Sequence, residues 1–459
     1  MGAAADLFFS NDVARETLHR RITPTDDQFE DQKNRWNDLA SFLKARLKED
    51  TGLPTRTWLQ GSYKFDTQIR PWSSSAEFDI DLGLYFEWEG NPEDGVHEPE
   101  NLKALVQQAL IDYQSDEEND ATGVEDPKER CCRISFNPDF HIDVPCYHLD
   151  FDNDARALAT ESQGWEDSDP KAIYQWFKER YGDVTRRAQM RRQVRYLKMW
   201  AALNFNEGNR PSSILLTVLV AEALDGYAIE GVPDDDLFEH VTHIVSARIE
   251  ASSEVLNPID LTEDVNRLDD AGNVDFLDKL LALKEVAVRA NEARDKAASA
   301  EIWAEAFGQF FPMPEDNNEE VEVERASGAL VISFDPQVEV SAVPRNNQHR
   351  GWNGLNEIPQ IPQGCDITFR LRNADQLPRG ATLRWTVRNR GDEAGTFNDL
   401  GHAAGDGFEI VERSSYNGDH AMDLAVYLGS QIIGRRRIAI RIRGMAIPSR
   451  NPPRRRYFG

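Results

Sequence analysis

Asp79 and Asp81 stand two residues apart in EFDIDLGLYF, where Phe78, Ile80, Leu82 and Leu84 alternate with Asp79, Asp81 and Gly83. That period of two predicts a strand with its apolar set on one face and both carboxylates on the other. Two carboxylates on rigid backbone can hold a pair of divalent cations about 3.5–4 Å apart. Phosphoryl and nucleotidyl transfer use such a pair to activate the attacking oxygen and stabilise the leaving one. A second alternating run, FHIDVPCYHL, turns Ile142 and Val144 inward and His141 and Asp143 outward. Asp143 is therefore the third expected ligand, and Asp79, Asp81 and Asp143 are the expected catalytic and metal-binding set. The ions expected are two Mg²⁺, for which Mn²⁺ could substitute. An isolated D-x-D on a strand is more often a solvated face, so the reading depends on its surroundings.

Upstream, TWLQGSY reads as a short strand entering a turn at Gly61-Ser62. Such a turn offers backbone N–H groups and a hydroxyl to the β- and γ-phosphates of a nucleotide. Downstream, Arg186, Arg187, Arg191, Arg192, Arg195 and Lys198 fall in one segment without an acid. On a helix, Arg187, Arg191, Arg195 and Lys198 share one stripe. Taken singly, a Gly-Ser is usually a turn and a basic stripe usually surface charge. Their order around the two carboxylate strands is what points to a nucleotide site.

The elements that must position these residues follow from periodicity. Residues 10–50 read as helix, with Phe29, Trp36, Leu39, Phe42, Leu43 and Leu47 at helical spacing and Gly52 and Pro54 as the stop. Residues 101–113 suit a helix, and SDEENDATGVEDPKE a solvated loop. RISFNPDFHIDVPCYHL reads as a hairpin turning at Asn137-Pro138-Asp139. From 170 to about 311 the pattern is helical, with breaks near Gly208–Pro211, Gly231–Pro233 and Asn257–Pro258. PMPEDNNEEVEVER has the composition of a linker. Beyond it ALVISF, DITFRLR, TLRWTVRN, AMDLAVYL and RRIAIRIR alternate with period two, which predicts an all-β sandwich. The expected divisions are a catalytic core over 1–185, a helical lobe over 186–312, an acidic linker over 313–325 and a β domain over 326–459.

Composition sets limits. A chain of 459 residues exceeds one ordinary core. No stretch approaches the roughly 20 apolar residues of a membrane span, and the start lacks a signal-peptide pattern. The expected location is the cytoplasm, without membrane attachment. Four cysteines, Cys131, Cys132, Cys146 and Cys365, form no disulfide framework and read as buried thiols. A net charge of −28 excludes general coating of nucleic acid, which would be repelled over most of the surface.

Against that charge, residues 435–459 carry nine arginines and no acid. In RRRIAIRIR, Arg437, Arg441 and Arg443 alternate with Ile438, Ile440 and Ile442. Two readings stand: a solvated strand whose Arg stems cover apolar surface, or a site for a phosphate-bearing ligand. Trp352, Trp385 and Tyr416 read more readily as core or turn aromatics than as base-stacking platforms.

LQGSYKFDTQI, EFDIDLGLYF and FHIDVPCY together resemble the minimal nucleotidyltransferase fold of the DNA-polymerase-β superfamily. GWEDSDPKAIYQWF, RRQVRYLKMWAALN and PSSILLTVLVAEAL resemble the bacterial relatives of cyclic GMP-AMP synthase. LRWTVRNRGDEAGTFNDLGH and VERSSYNGDHAMDLAVYL resemble the sensor-like β domain of some of these enzymes. The resemblance implies an α+β fold: a polymerase-β-type core with a mixed sheet, a helical lobe and a C-terminal β-sandwich-like domain. It implies ATP-binding, metal-dependent synthesis of a cyclic oligonucleotide messenger in anti-phage defence, with pyrophosphate released. Gly61, Ser62, Lys198 and Ser213 would hold the triphosphate, and Asp143 would lie nearest the attacking hydroxyl. It further implies nucleoside triphosphates as partners, a regulatory ligand at the C-terminal domain and a separate effector that reads the product. An oligomer is left open. Two alternatives stay beside it: a linear oligonucleotide or transfer to an RNA end or protein, and a catalytically silent nucleotide-binding module.

Overall fold

The computed structural model describes residues 2–73, 76–116, 118–136, 140–314, 334–346, 350–429 and 431–445. The turn at Asn137-Pro138-Asp139, most of the linker, most of ALVISF and the arginine-rich tail lie outside them. The chain divides into two units, Met1–Ala306 and Phe307–Gly459. No helix is long and apolar enough to cross a membrane among the described residues.

The first unit opens with α1 (Ala5–Phe8), α2 (Leu18–Ile22) and α3 (Asp26–Thr51). The single helix expected over 10–50 is thus broken. Thr17 caps α2, and Thr25 forms a capping box with Gln28 at the start of α3. Each side-chain oxygen satisfies a backbone N–H that the helix start leaves free, so each restarts the helix. Gly52, at φ 70°, ends α3 in the left-handed conformation glycine takes without strain.

Then come β1 (Thr55–Gln60), α4 (Gly61–Phe65), β2 (Phe78–Glu87), α5 (Pro99–Gln114), β3 (Ala121–Val124), β4 (Cys132–Phe136), β5 (Phe140–Val144), β6 (Cys146–Asp150), β7 (Ala155–Ala159) and β8 (Trp165–Asp167). They build an eight-stranded mixed sheet in the order β3-β4-β5-β2-β6-β7-β8, with β1 paired to β2. Part of the acidic run is therefore strand β3, not loop; its pairing with β4 supplies what its weak apolar pattern does not. Strands β5 and β6 both run parallel to β2. They are separated by Pro145, which has no N–H to give a ladder. Leu39, Leu43, Ile80, Leu82, Val106, Leu110, Ile134 and Ile142 form the core between the sheet and helices α3 and α5.

Helices α6 (Pro170–Glu179), α7 (Val184–Asn204), α8 (Ser213–Ala223) and α9 (Asp234–Ala251) follow, then β9 (Leu256–Asn257), β10 (Asp260–Asp264), α10 (Asp270–Asn291) and α11 (Lys296–Phe307). The break at Asn257–Pro258 is a small hairpin of β9 and β10.

The second unit holds β11 (Val338–Pro344), β12 (Trp352–Leu355), β13 (Cys365–Leu371), β14 (Ala381–Arg388), α12 (Asp392–Thr396), β15 (Gly401–Gly405), β16 (Glu409–Arg413), β17 (Gly418–Leu428) and β18 (Gln431–Ile442). Two antiparallel sheets result, β12-β11-β13-β16 and β15-β14-β17-β18. Their facing side chains, among them Val340, Ile367, Phe369, Trp385, Leu424, Ile438 and Ile440, make one core, as a sandwich requires.

Candidate active site

Strand register assembles the site. In the parallel pairing of β2 with β5, Asp79 lies opposite His141 and Asp81 opposite Asp143. The antiparallel pairing of β4 with β5 sets Arg133 opposite Asp143, and that of β1 with β2 sets Gln60 opposite Asp81. Gln60, Asp81, Asp143 and Arg133 thus form one cross-strand row. Alternation turns Ile80 and Ile142, both fully buried, to the other face.

Ligand atoms of Asp79, His141 and Asp143 lie within 4.8 Å of one another. Arg133 donates to both carboxylate oxygens of Asp143, Nε at 2.5 Å and Nη2 at 2.7 Å. His141 Nδ1 is 2.7 Å from Glu77 Oε2, and its Nε2 is 3.1 Å from Asp79 Oδ1. Enclosure by protein would raise the half-exposed Asp79 carboxyl, but His141, with Arg133 and Lys198 behind it, holds it below its ordinary value. Asp81 goes the other way: burial and the charges of Asp79 and Asp143 push its carboxyl well up. The carboxylate oxygens of Asp79 and Asp143 suit a hard divalent cation, so the group they form with His141 fits such an ion; Asp81, across the row from Asp143, is not part of it. His141 and Arg133 are members of the cluster that the sequence reading did not assign.

Gly61-Ser62 opens the one-turn helix α4, where an open turn was expected. Gly61 has φ 56°, and a Cβ there would stand 1.8 Å from Asp81 Oδ2. Only glycine allows β1 to turn this close to the carboxylate. Ser62, Asp79, Lys198 and Ser213 line a cavity of about 200 Å³. Gly61 and Asp81 line a second, of about 630 Å³, with Tyr147, Arg156, Asn257 and Arg267. The four expected phosphate contacts are therefore split: Ser62, Lys198 and Ser213 share the first cavity, and Gly61 belongs to the second.

Most of the basic stripe on α7 is committed internally. Arg195 Nη2 is 2.5 Å from Asp66 Oδ1 and its Nε donates to Gln68 O at 3.2 Å. Arg191 is 3.3 Å from Asp66, and Arg187 donates to Tyr181 O and Gly182 O. Arg191 and Arg195 thereby fasten α7 to the segment following Gly61-Ser62, whereas Arg187 ties the helix start to the chain just before it. Lys198 Nζ donates to Thr67 O at 3.0 Å but also lines the smaller cavity. Burial, then Arg195, brings its pKa down to about 8.

In the second unit Arg437 donates to Asp423 Oδ1 and Oδ2 at 2.7 and 2.8 Å, and Arg388 takes the same carboxylate at 2.5 Å. Arg443 reaches Asp419 at 3.0 Å. Of the three candidate ligand arginines, Arg441 alone has no carboxylate partner among the described residues. Trp385 is fully buried and donates to Gly407 O, so it is core.

A mixed sheet bearing a row of carboxylates, a glycine pressed against one of them and a buried lysine from the helical layer define a nucleotidyltransferase of the polymerase-β type. More narrowly, residues 55–147 match the family model of the DncV-like cyclic GMP-AMP synthase nucleotidyltransferase domain. Residues 318–443 match that of the adenylyl/guanylyl and SMODS C-terminal sensor domain. The chain thus carries a DncV-like nucleotidyltransferase domain followed by a sensor domain of that kind. A cyclic GMP-AMP synthase of Escherichia albertii is 29% identical over 438 residues, 94% of each chain. A c-di-GMP synthase of Roseivirga ehrenbergii is 22% identical, covering 55% of this chain and 73% of that one. The fold is shared with Vibrio cholerae DncV bound to the linear intermediate 5′ pppA(3′,5′)pG, at TM-score 0.57 and 21% identity, covering 68% of this chain and 97% of that one.

Proposed function

We propose that this chain joins nucleoside triphosphates into a cyclic oligonucleotide and releases pyrophosphate. The observation that supports the reading is the register that sets Asp79 opposite His141 and Asp81 opposite Asp143, with Gly61 pressed against Asp81, in a DncV-like domain. Similarity along 94% of the chain to a cyclic GMP-AMP synthase supports a cyclic product.

In this account a ribose hydroxyl of one nucleotide attacks the α-phosphorus of another. The new phosphodiester bond forms as the bond to the β-phosphate's bridging oxygen breaks. Asp79, Asp81 and Asp143 would hold divalent cations, Mg²⁺ in the first instance, which when bound supply Lewis-acid stabilisation of the attacking and leaving oxygens. Arg133 keeps Asp143 in one orientation while leaving a lone pair on each of its oxygens. Ser62, Lys198 and Ser213 hold the triphosphate in the smaller cavity, and Gly61 lets the chain pass close to the reacting centre. The larger cavity, at about 630 Å³, has room for a nucleoside and would set base preference. The C-terminal domain would regulate this chemistry, with Arg441 the cation left free for a ligand. A cytoplasmic setting, a separate effector and a role against phage follow from the resemblance as part of the same proposal.

The test is incubation with each labelled triphosphate and Mg²⁺, then phosphatase and nuclease. A product without free termini supports the proposal, and a ladder of linear products overturns its cyclic part.

A further inference from the structure

Trp72 and Arg210 line the same cavity as Lys198 and Ser213. The Arg210 guanidinium carbon is 4.3 Å from the Trp72 ring centroid, a cation–π stack. Its Nε is buried and has no hydrogen-bond partner. Burial holds its pKa below the ordinary arginine value, against a weaker pull from Glu207. Among the described residues no carboxylate lies within ion-pair distance of it. In the same unit Arg133, Arg156, Arg191, Arg192 and Arg195 each pair with an aspartate, and Arg20 and Arg187 are taken up by backbone carbonyls. In a chain of net charge −28, a half-buried arginine with no acid in ion-pair reach and braced on an indole is a cation held for an incoming anion.

We propose that Arg210, positioned by Trp72, is a further phosphate-binding residue of the triphosphate cavity, acting beside Lys198 and Ser213. The inference rests on the nucleotidyl-transfer reading above. Lys198 spends one of its donors on Thr67 O, whereas Arg210 presents a planar fork that matches two phosphate oxygens at once. Its contact is to phosphates that leave as pyrophosphate, so it acts mainly on binding.

The experiment uses the full chain with Mg²⁺ in excess, measuring rates against ATP and GTP and inhibition by inorganic tripolyphosphate. Arg210→Ala should raise KM for the triphosphate about tenfold to a hundredfold, with kcat changed less than about threefold. The inhibition constant of tripolyphosphate should rise in parallel, and Arg210→Lys should recover part of both. Trp72→Leu, which keeps the charge and removes its platform, should raise both by a few-fold. A folded Arg210→Ala variant with unchanged KM overturns the proposal. So does a raised KM with unchanged tripolyphosphate inhibition, because the residue would then act on the nucleoside or through the fold. If Arg210→Ala does not fold, Arg210→Gln, which keeps a stem over Trp72, is judged by the same criteria. Absence of product from wild-type protein would refute nucleotidyl transfer instead. Calorimetric binding of tripolyphosphate to wild type and Arg210→Gln would still decide on Arg210.

Discussion

Asp143 is gripped by Arg133 through two hydrogen bonds, at 2.5 and 2.7 Å, from the position directly across the β4–β5 pairing. Residues that orient a metal-binding carboxylate tune its affinity. Arg133→Gln should therefore weaken the apparent Mg²⁺ affinity by about tenfold to a hundredfold. Product formation titrated against Mg²⁺ gives the answer; an unchanged midpoint would mean the pair serves only the sheet.

A side chain at Gly61 would have to displace Asp81. The glycine φ is 56°, and a Cβ would collide with Asp81 Oδ2. Gly61→Ala should leave the melting temperature within a few degrees, since the clash can be relieved by moving one carboxylate. That movement should cost about a hundredfold in kcat, the scale for a reacting group displaced by about 1 Å. Wild-type rates in this variant would separate Asp81 from the chemistry.

Asp66 links α7 to the chain that follows Gly61-Ser62. It holds φ 54° and receives Arg195, which is only 6% exposed. Asp66→Ala leaves a buried guanidinium with Gln68 O as its remaining partner, and should cost about 1–3 kcal/mol. Urea unfolding measures the loss, and a drop in kcat/KM should accompany it.

Asp235, in the first turn of α9, is fully buried and its Oδ2 has no hydrogen-bond partner. Burial, then Asp236, raises its carboxyl to about 6. The folded state therefore binds this proton more tightly than the unfolded chain does. Stability should fall as pH rises from about 4 to 6, and the full penalty should persist above 6. Asp235→Asn should stabilise the protein at pH 7 by up to about 3 kcal/mol and have little effect at pH 4. Thermal melting at the two pH values distinguishes this from a gain that is independent of pH.

How much of this was legible depended on the range of each interaction. Alternation in EFDIDLGLYF and FHIDV is a local property, so strands β2 and β5 and the outward facing of Asp79, Asp81 and Asp143 could be read directly. Register is not local: that Asp81 meets Asp143, and that Arg133 meets it from the far side, follows from sheet pairing. The arginines of α7 looked like a ligand stripe because Asp66, which absorbs two of them, lies more than a hundred residues away in sequence. Strand β3 in the acidic run and the hairpin β9–β10 carry too few apolar residues to betray a strand. In the second unit the core strands β13, β14, β17 and β18 showed their period, whereas β15, GHAAG, did not.

The most direct measurement compares wild-type protein with the Asp79→Ala, Asp81→Ala double variant, given labelled nucleoside triphosphates and Mg²⁺. Removing Asp81 relieves repulsion while removing Asp79 forfeits its contact with His141, so the variant should fold and melt within a few degrees of wild type. Wild type should give a phosphatase-resistant product and pyrophosphate, and the variant neither. Equal nucleotide incorporation by a folded double variant would contradict it.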